Sequence, residues 1–213
     1  MKIAIIGAGN VGTALGKAWA SAGHLVIFGV RNPSGGKTQP PTAAGISSMT
    51  IPDAVRECSI VVLAVPWNAV ADAAKAMGNV KGKIVIDCTN PLSLNAEGSL
   101  SLALGSTTSG AEEIERMLPG AQVAKAFNTY GYENFADSKY PGYGDLKPVM
   151  FYCSDSDEAN TVVATLASDI GFEPVATGGL GMSRSLEPLA LMWIRLAMKR
   201  DRNPNFVWAM LKR

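Results

Sequence analysis

The sequence predicts an α/β chain built on a doubly wound parallel sheet with a short C-terminal helical cap, and three observations carry that expectation. Short apolar runs alternate with helix-patterned segments along most of its 213 residues. The first run, Ile3 to Ile6, leads straight into Gly7-Ala8-Gly9-Asn10-Val11-Gly12 and then into a helix-patterned segment. Later runs such as Ile60 to Val65 are almost wholly apolar, which marks strands covered on both faces.

Each element follows in turn. Thr13 to Ala22 reads as the first helix, closed by Gly23, and Leu25 to Gly29 as the second strand. Asn32 to Thr42, rich in Pro, Gly and Ser, reads as loop. Thr50-Ile-Pro-Asp53 is a helix start with Asp53 suited to the first turn, and the helix runs toward Glu57. Ile60 to Val65 is a strand, Trp67 to Met77 a helix, and Lys83 to Asp87 another buried strand that ends in the loop 88–92. Ser93 to Ser106 is by composition the least structured stretch. Ser109-Gly-Ala-Glu112 has capping-box spacing and opens a helix through Leu118. Gln122 to Phe127 is a strand, and 128–147 is a Gly/Tyr/Pro-rich connection long enough for a functional loop. Pro148 to Tyr152 is a strand, Asp157 to Ile170 a helix, and Glu173 to Ala176 a last short strand. From Arg184 the spacing of Leu186, Leu189, Trp193, Leu196 and Ala197 places them on one helical face, and Phe206, Met210 and Leu211 continue as a shorter amphipathic piece. The chain reads as one domain over 1–213, with 184–213 as C-terminal helices. The whole is a Rossmann-like arrangement.

The bulk numbers narrow the function. Hydrophobic residues make up 47% of the chain, enough for a real core, and the formal net charge of +1 comes from scattered Lys and Arg. That distribution is unlike the footprint of a nucleic-acid or membrane-surface binder. No apolar run is long enough to span a bilayer, and the apolar start runs into glycines rather than a cleavage site. Cys58, Cys88 and Cys153 lie far apart without Cys-x-x-Cys spacing, so neither a metal site nor a disulfide framework is expected, and the cytoplasm is the expected compartment.

The glycine turn after the first strand points to a dinucleotide. Gly7 permits the tight turn, Gly9 lets a pyrophosphate approach the backbone, and Gly12 lets the helix pack close to its strand. Free amides at the helix start, with the positive end of its dipole, suit two phosphates. The end of the second strand reads Gly29-Val30-Arg31, and no acidic residue occurs between His24 and Pro52. An NAD site usually places a carboxylate there, whereas an Arg matches a 2′-phosphate. NADP(H) is therefore the expected cofactor, with Arg31 on its extra phosphate and Lys37 as a second positive charge.

At Val62-Leu-Ala-Val-Pro-Trp67 and Lys125-Ala-Phe-Asn-Thr129 the chain resembles the NADP oxidoreductases that work with a deazaflavin coenzyme. It is similar also to the cytosolic reductase domain of the six-transmembrane metalloreductases. The resemblance spans nearly the whole length, from the opening glycine turn through Gly29 to Arg31 to Gly171-Phe-Glu-Pro-Val175 and Ser185-Leu-Glu-Pro-Leu189. It implies that Ala8, Gly9, Asn10 and Val11 surround the pyrophosphate and that Val30 and Arg31 face the 2′-phosphate. Ala64, Val65, Pro66 and Trp67, with Asn68 and Ala69 behind, would border the nicotinamide riboside. Asn90 would approach the ribose, and Ala126 would contact the carboxamide through its backbone. Family members often carry Thr where this chain has Ala8 and Ser where it has Val30, each a lost hydroxyl.

No obvious acid–base residue accompanies these positions. His24, the single histidine, sits at the amino end of the sheet and reads as a structural or solvated turn residue. Lys125, placed at the start of its strand, reads as a surface charge, and Asp87 as a loop anchor. Among Tyr130, Tyr132, Tyr140 and Tyr143, packing explains most, with one free to cover a cleft. The expectation is therefore direct hydride transfer between NADP(H) and a planar flavin-like coenzyme (8-hydroxy-5-deazaflavin, FMN or FAD) with no catalytic side chain. The alternatives are a pyrroline-carboxylate-reductase-like imine reductase, against which the short C-terminal helical region counts, and a non-catalytic NADP(H)-binding redox sensor. The partners expected are a small-molecule electron acceptor and, through the 184–197 helix, a second copy in a homodimer.

Overall fold

A computed structural model describes residues 1–35, 40–104, 106–199, 203–211 and 213. In its central strand β1 (Lys2–Ile6), alternate side chains point opposite ways. Ile3 and Ile5 enter one apolar cluster, and Ala4 and Ile6 enter the other. The same division repeats in β4 (Ile60–Leu63) and β5 (Ile84–Asp87), which explains why the runs are apolar throughout. Helices α1 (Asn10–Ser21) and α6 (Asp157–Asp169) roof the first face, and α2 (Ile51–Glu57), α3 (Val70–Met77) and α4 (Gly110–Met117) roof the second.

The sheet also contains β2 (Leu25–Val30), β3 (Ile46–Thr50), β8 (Gln122–Lys125), β9 (Val149–Ser154) and β10 (Glu173–Ala176), and its order is β3-β2-β1-β4-β5-β8-β9-β10. The strands from β3 to β8 run parallel, as expected. The sheet is extended by a reversed pair: β9 runs antiparallel to β8, and β10 lies parallel to β9. A parallel neighbour would need a crossover of about a dozen residues or more that spans the sheet, usually a helix. The 126–148 connection contains only a four-residue helix, α5 (Glu133–Ala136), so the chain re-enters from the same edge. Buried Phe135 and Tyr130 turn much of that connection into core packing.

Helix starts follow the local sequence closely. Thr50, Ser109 and Ser156 cap α2, α4 and α6 by accepting the amides of Asp53, Glu112 and Ala159. Besides β3, an edge strand where the sequence indicates none, two stretches depart from expectation. Within 93–106, β6 (Leu92–Leu94) and β7 (Leu100–Leu102) form an antiparallel hairpin in which Leu-Ser-Leu faces Leu-Ser-Leu. Its turn is held by the Asn95 side chain, which accepts the Ser99 amide at 2.7 Å. The second departure is the 206–211 piece: the described residues 203–211 contain no helix. Alternate carbonyls of this strap are taken by outside donors, Pro204 by Asn134 Nδ2, Phe206 by Trp193 Nε1 and Trp208 by the Val149 amide. Carbonyls engaged by these outside donors are unavailable to a helix.

The last helix, α7 (Ser183–Lys199), buries Leu186, Glu187, Ala190, Trp193 and Ala197. Leu189 is only half-buried and Leu196 is 37% exposed, so the apolar stripe is rotated from the expected one. The rotation exists because a carboxylate occupies the core-facing position.

That carboxylate meets Lys125, which corrects the reading of Lys125 as a surface charge at the start of its strand. Lys125 closes β8, not opens it, and is fully buried. Its Nζ donates to Asp87 Oδ2 at 2.8 Å and to the Thr89 carbonyl at 2.6 Å, and pairs with Glu187 Oε1 at 2.9 Å. Asp87 also accepts the Thr89 amide at 2.8 Å, as a loop anchor should. Glu187 accepts the Gly110 and Ala111 amides at 3.0 and 3.3 Å, so α4 begins on a carboxylate. Burial works to lower the Lys125 pKa, but Asp87 and then Glu187 outweigh it and hold the ammonium above its ordinary 10.5.

Removing one member of a buried ion cluster leaves its partners uncompensated. Lys125→Met is expected to cost about 3–5 kcal/mol in urea unfolding monitored by circular dichroism. Because the folded pKa is raised, this contribution is whole below pH 10.5 and is lost as pH rises through the folded value. The wild-type chain should therefore lose stability in that alkaline range more steeply than Lys125→Met.

Candidate active site

The site forms where the strands release their chain at the carboxyl edge of the sheet. Gly7, just past β1, has φ +110°, and a Cβ there would lie 2.5 Å from the Ala64 carbonyl oxygen. A Cβ on Gly12 would collide with the Gly7 carbonyl oxygen. Both glycines are thus demanded by packing between β1, α1 and the end of β4. Gly9 is different. Its φ of −75° and ψ of −171° are open to any residue, and a Cβ on it would meet nothing within 4 Å. Folding gives no reason for glycine at position 9, whereas a ligand lying on the backbone does.

Gly9 caps α1 without any side-chain hydrogen bond, and no acidic residue occupies the first turn. The amides that open α1 therefore have neither a capping oxygen nor a carboxylate beside them, in contrast to α2, α4 and α6. An anion is the partner such a turn lacks.

A cleft of about 620 Å³ opens over this turn. Of the expected site residues, Gly7, Ala8, Gly9, Val30 and Arg31 line it, together with Ala64, Val65, Pro66 and Ala69. Arg31 is exposed just past β2 and makes no ion pair among the described residues. Asn10, Val11 and Gly12 lie beneath, in the first turn of α1, and do not line the cleft. Lys37 lies outside the described residues.

The remaining expected residues gather farther along the edge. Trp67 and Asn68 form a single 3-10 turn ahead of α3. The Trp67 ring is half-buried and packs across the start of α4, where a Cβ on Gly110 would lie 3.1 Å from its Cζ3. Asn90 and Asn128 clasp each other: Asn90 Nδ2 donates to the Asn128 carbonyl at 2.9 Å, and Asn128 Nδ2 donates to Asn90 Oδ1 at 3.0 Å. Ala126 is fully buried, and its amide bonds the Asp87 carbonyl at 3.1 Å. After it, Phe127 takes φ +56°, a left-handed conformation rare outside glycine, fixed by ring contacts with Trp19 and Phe135. These residues lie past the ends of β4, β5 and β8 and stand apart from the cleft lining.

Sequence reasoning missed Asn32, Gly35, Ile51, Asp72, Ala73 and Ala76, which also line the cleft. The spacing of Ala69, Asp72, Ala73 and Ala76 was the available signal, since i, i+3, i+4 and i+7 share one helix face. His24 sits at the opposite edge, where Nδ1 lies 3.0 Å from the Met1 ammonium and Nε2 lies 3.0 Å from Asp169. Burial pushes the Cys88 thiol well up and the Cys153 thiol up to about 12, so neither offers a ready thiolate. No helix among the described residues is long and apolar enough to cross a membrane.

Comparison with known proteins agrees with this geometry. Residues 2–91, which carry the glycine turn and Arg31, match the family model described as NADP oxidoreductase coenzyme F420-dependent. A solved structure from Arthrobacter sp. FB24, described as a candidate F420-dependent NADP-reductase, aligns over all of both chains with a TM-score of 0.88 and 29% identity. Metalloreductase STEAP3 of Rattus norvegicus is 26% identical over 190 residues, which are 89% of this chain and 36% of that protein. The chain thus spans about a third of the length of that curated relative. A glycerol-3-phosphate dehydrogenase [NAD(P)+] of Moorella thermoacetica is 32% identical over 149 residues, 58% of this chain and 44% of that protein. The resemblance read from the sequence is met by these findings.

The isolated position of Gly9 makes a clean test. Gly9→Ala is expected to leave the thermal unfolding midpoint within a few degrees, since its Cβ enters open space. Nucleotide affinity by calorimetry should fall by about tenfold or more, because the methyl group occupies the ground a phosphate would take.

Proposed function

We propose that this chain is an NADPH-dependent oxidoreductase that exchanges hydride between NADP(H) and a planar flavin-like acceptor: 8-hydroxy-5-deazaflavin, FMN or FAD. The observation that carries the cofactor half is Gly9, a residue with no packing role at the mouth of an uncapped helix beneath a cleft. The residues present fit the group. The amides opening α1 would hold the pyrophosphate, and Arg31 would hold the 2′-phosphate through its parallel donors. Ala64, Val65 and Pro66 offer an apolar wall at the nicotinamide end. When bound, NADPH supplies a hydride from its reduced ring.

The chain's own part in the reaction is positioning. The wall at Ala64 to Pro66 excludes water from one face, and the Asn90–Asn128 clasp holds the ends of β5 and β8 at a fixed spacing. Lys125 cannot serve as a proton donor to a ligand, because Asp87, Glu187 and the Thr89 carbonyl engage its ammonium inside the core. Transfer between two rings needs close approach more than an acid or base, with reacting atoms about 3–3.5 Å apart. This character favours a flavin-like acceptor over a carbonyl or imine, whose reduction requires a proton from a placed side chain.

The reading extends to a homodimer formed through the outer face of α7, where Met192, Leu196 and Met198 remain exposed. Sedimentation velocity should give a dimer for the native chain and a monomer for Met192→Asp.

Arg31→Ala should weaken NADPH at least about tenfold while leaving NADH within about twofold, measured by calorimetry. Equal losses would remove the 2′-phosphate role. Oxidation of NADPH, followed by its absorbance against deazaflavin, FMN, FAD, ferric chelates and cyclic imines in parallel, tests the acceptor. Turnover with the imine alone would overturn the flavin-like assignment.

A further inference from the structure

Among the described residues, the cleft is lined by one cation, Arg31, and one anion, Asp72. The anion is the anomaly. A dinucleotide with a pyrophosphate and a 2′-phosphate is strongly negative, so a carboxylate in its cleft repels it unless that carboxylate meets a donor. Asp72 is exposed and makes no hydrogen bond or ion pair among the described residues, although its place in the first turn of α3 suits the helix dipole. A dipole role alone would be served equally at a first-turn position facing away from the cleft.

The surroundings of Asp72 define a slot. Ala69, Ala73 and Ala76 share its helix face, and their methyl groups leave room that larger side chains would fill. Ile51, at the start of α2, and Arg31, past β2, line the same cleft. Small apolar walls beside a guanidinium suit a flat aromatic ring, which the guanidinium plane can cover. A carboxylate offers acceptors only, so the ring it tolerates must present a donor at its edge. Adenine does so through its exocyclic amino group. A purine with a carbonyl at that position would set oxygen against oxygen.

We infer that Asp72 reads the adenine amino group of the nucleotide and makes the cleft selective for adenine over 6-oxopurine dinucleotides. This assignment rests on the NADP(H) reading and adds to it a specificity residue on an element remote from the glycine turn. The selectivity is chiefly negative: the wrong base is refused because it leaves a carboxylate unpaired.

The test compares adenosine 2′,5′-bisphosphate with inosine 2′,5′-bisphosphate by calorimetry on the wild-type chain and on Asp72→Asn. The wild type should prefer the adenine nucleotide by about tenfold or more. In Asp72→Asn the side-chain amide can accept from the amino group or donate to the carbonyl, so the preference should shrink to within about twofold. An unchanged melting temperature in Asp72→Asn accompanies that outcome. Equal wild-type binding of the two nucleotides, or an unchanged ratio in the variant, overturns the adenine assignment while leaving the cofactor reading intact. Failure of the wild type to bind either nucleotide overturns the cofactor reading, and this assignment with it.

Discussion

The buried contact of Lys125 with Asp87 and Glu187 is the constraint on which the site edge depends. One ammonium joins the ends of β5 and β8 to α7, and through the Glu187 carboxylate to the first amides of α4. Burying three charges is expensive, and an apolar cluster of equal volume would often be as stable. What the charges supply is geometry: acceptor directions fix the spacing of two strand ends that a greasy contact would leave free to slide. The Asn90–Asn128 clasp and the buried Ala126 turn sit directly beyond those strand ends, so their position follows from it.

The glycine turn divides labour in a way its pattern conceals. Positions 7 and 12 are settled by collisions with neighbouring backbone, so they would remain glycine in a protein that bound nothing. Position 9 faces open volume, and no neighbouring atom demands its smallness. Strand order places this turn near the middle of the parallel part of the sheet, with β2 and β4 on either side of β1. The crevice over it is lined by Arg31 and by the small face of α3.

Much of this was legible in the sequence because it is local. Apolar runs, Ser and Thr caps and the Gly7–Gly12 turn each depend on neighbours a few residues away, and their elements lie where the residues indicate. The losses are equally instructive. Lys125 reads as a surface charge because its three partners come from other elements, and no local period reports a buried ion cluster. Leu189 and Leu196 read as core because the rule seeks apolar residues, while α7 turns Glu187 inward. The strap at 203–211 has helical spacing in Phe206, Met210 and Leu211, but tertiary donors claim its carbonyls first. Around the cleft, β-strand ends and glycines were readable, whereas the place of Asp72 in its lining was not, since only the tertiary packing of α3 brings it there.

The strap has a bearing on biosynthesis. β10 pairs with one edge of β9, but on the other edge β9 shares only two residue pairs with β8, at its far end, so there its opening half relies on the Trp208 backbone for cover at Val149. A nascent chain will have laid down every strand of the sheet while that segment is still inside the ribosome. During this interval one edge of β9 lies open beside an uncovered Trp193, a state prone to pairing with another chain. That edge therefore stays open until residues 203–211 have emerged, and slow or stalled synthesis near residue 200 would expose the molecule to aggregation rather than to loss of its cleft.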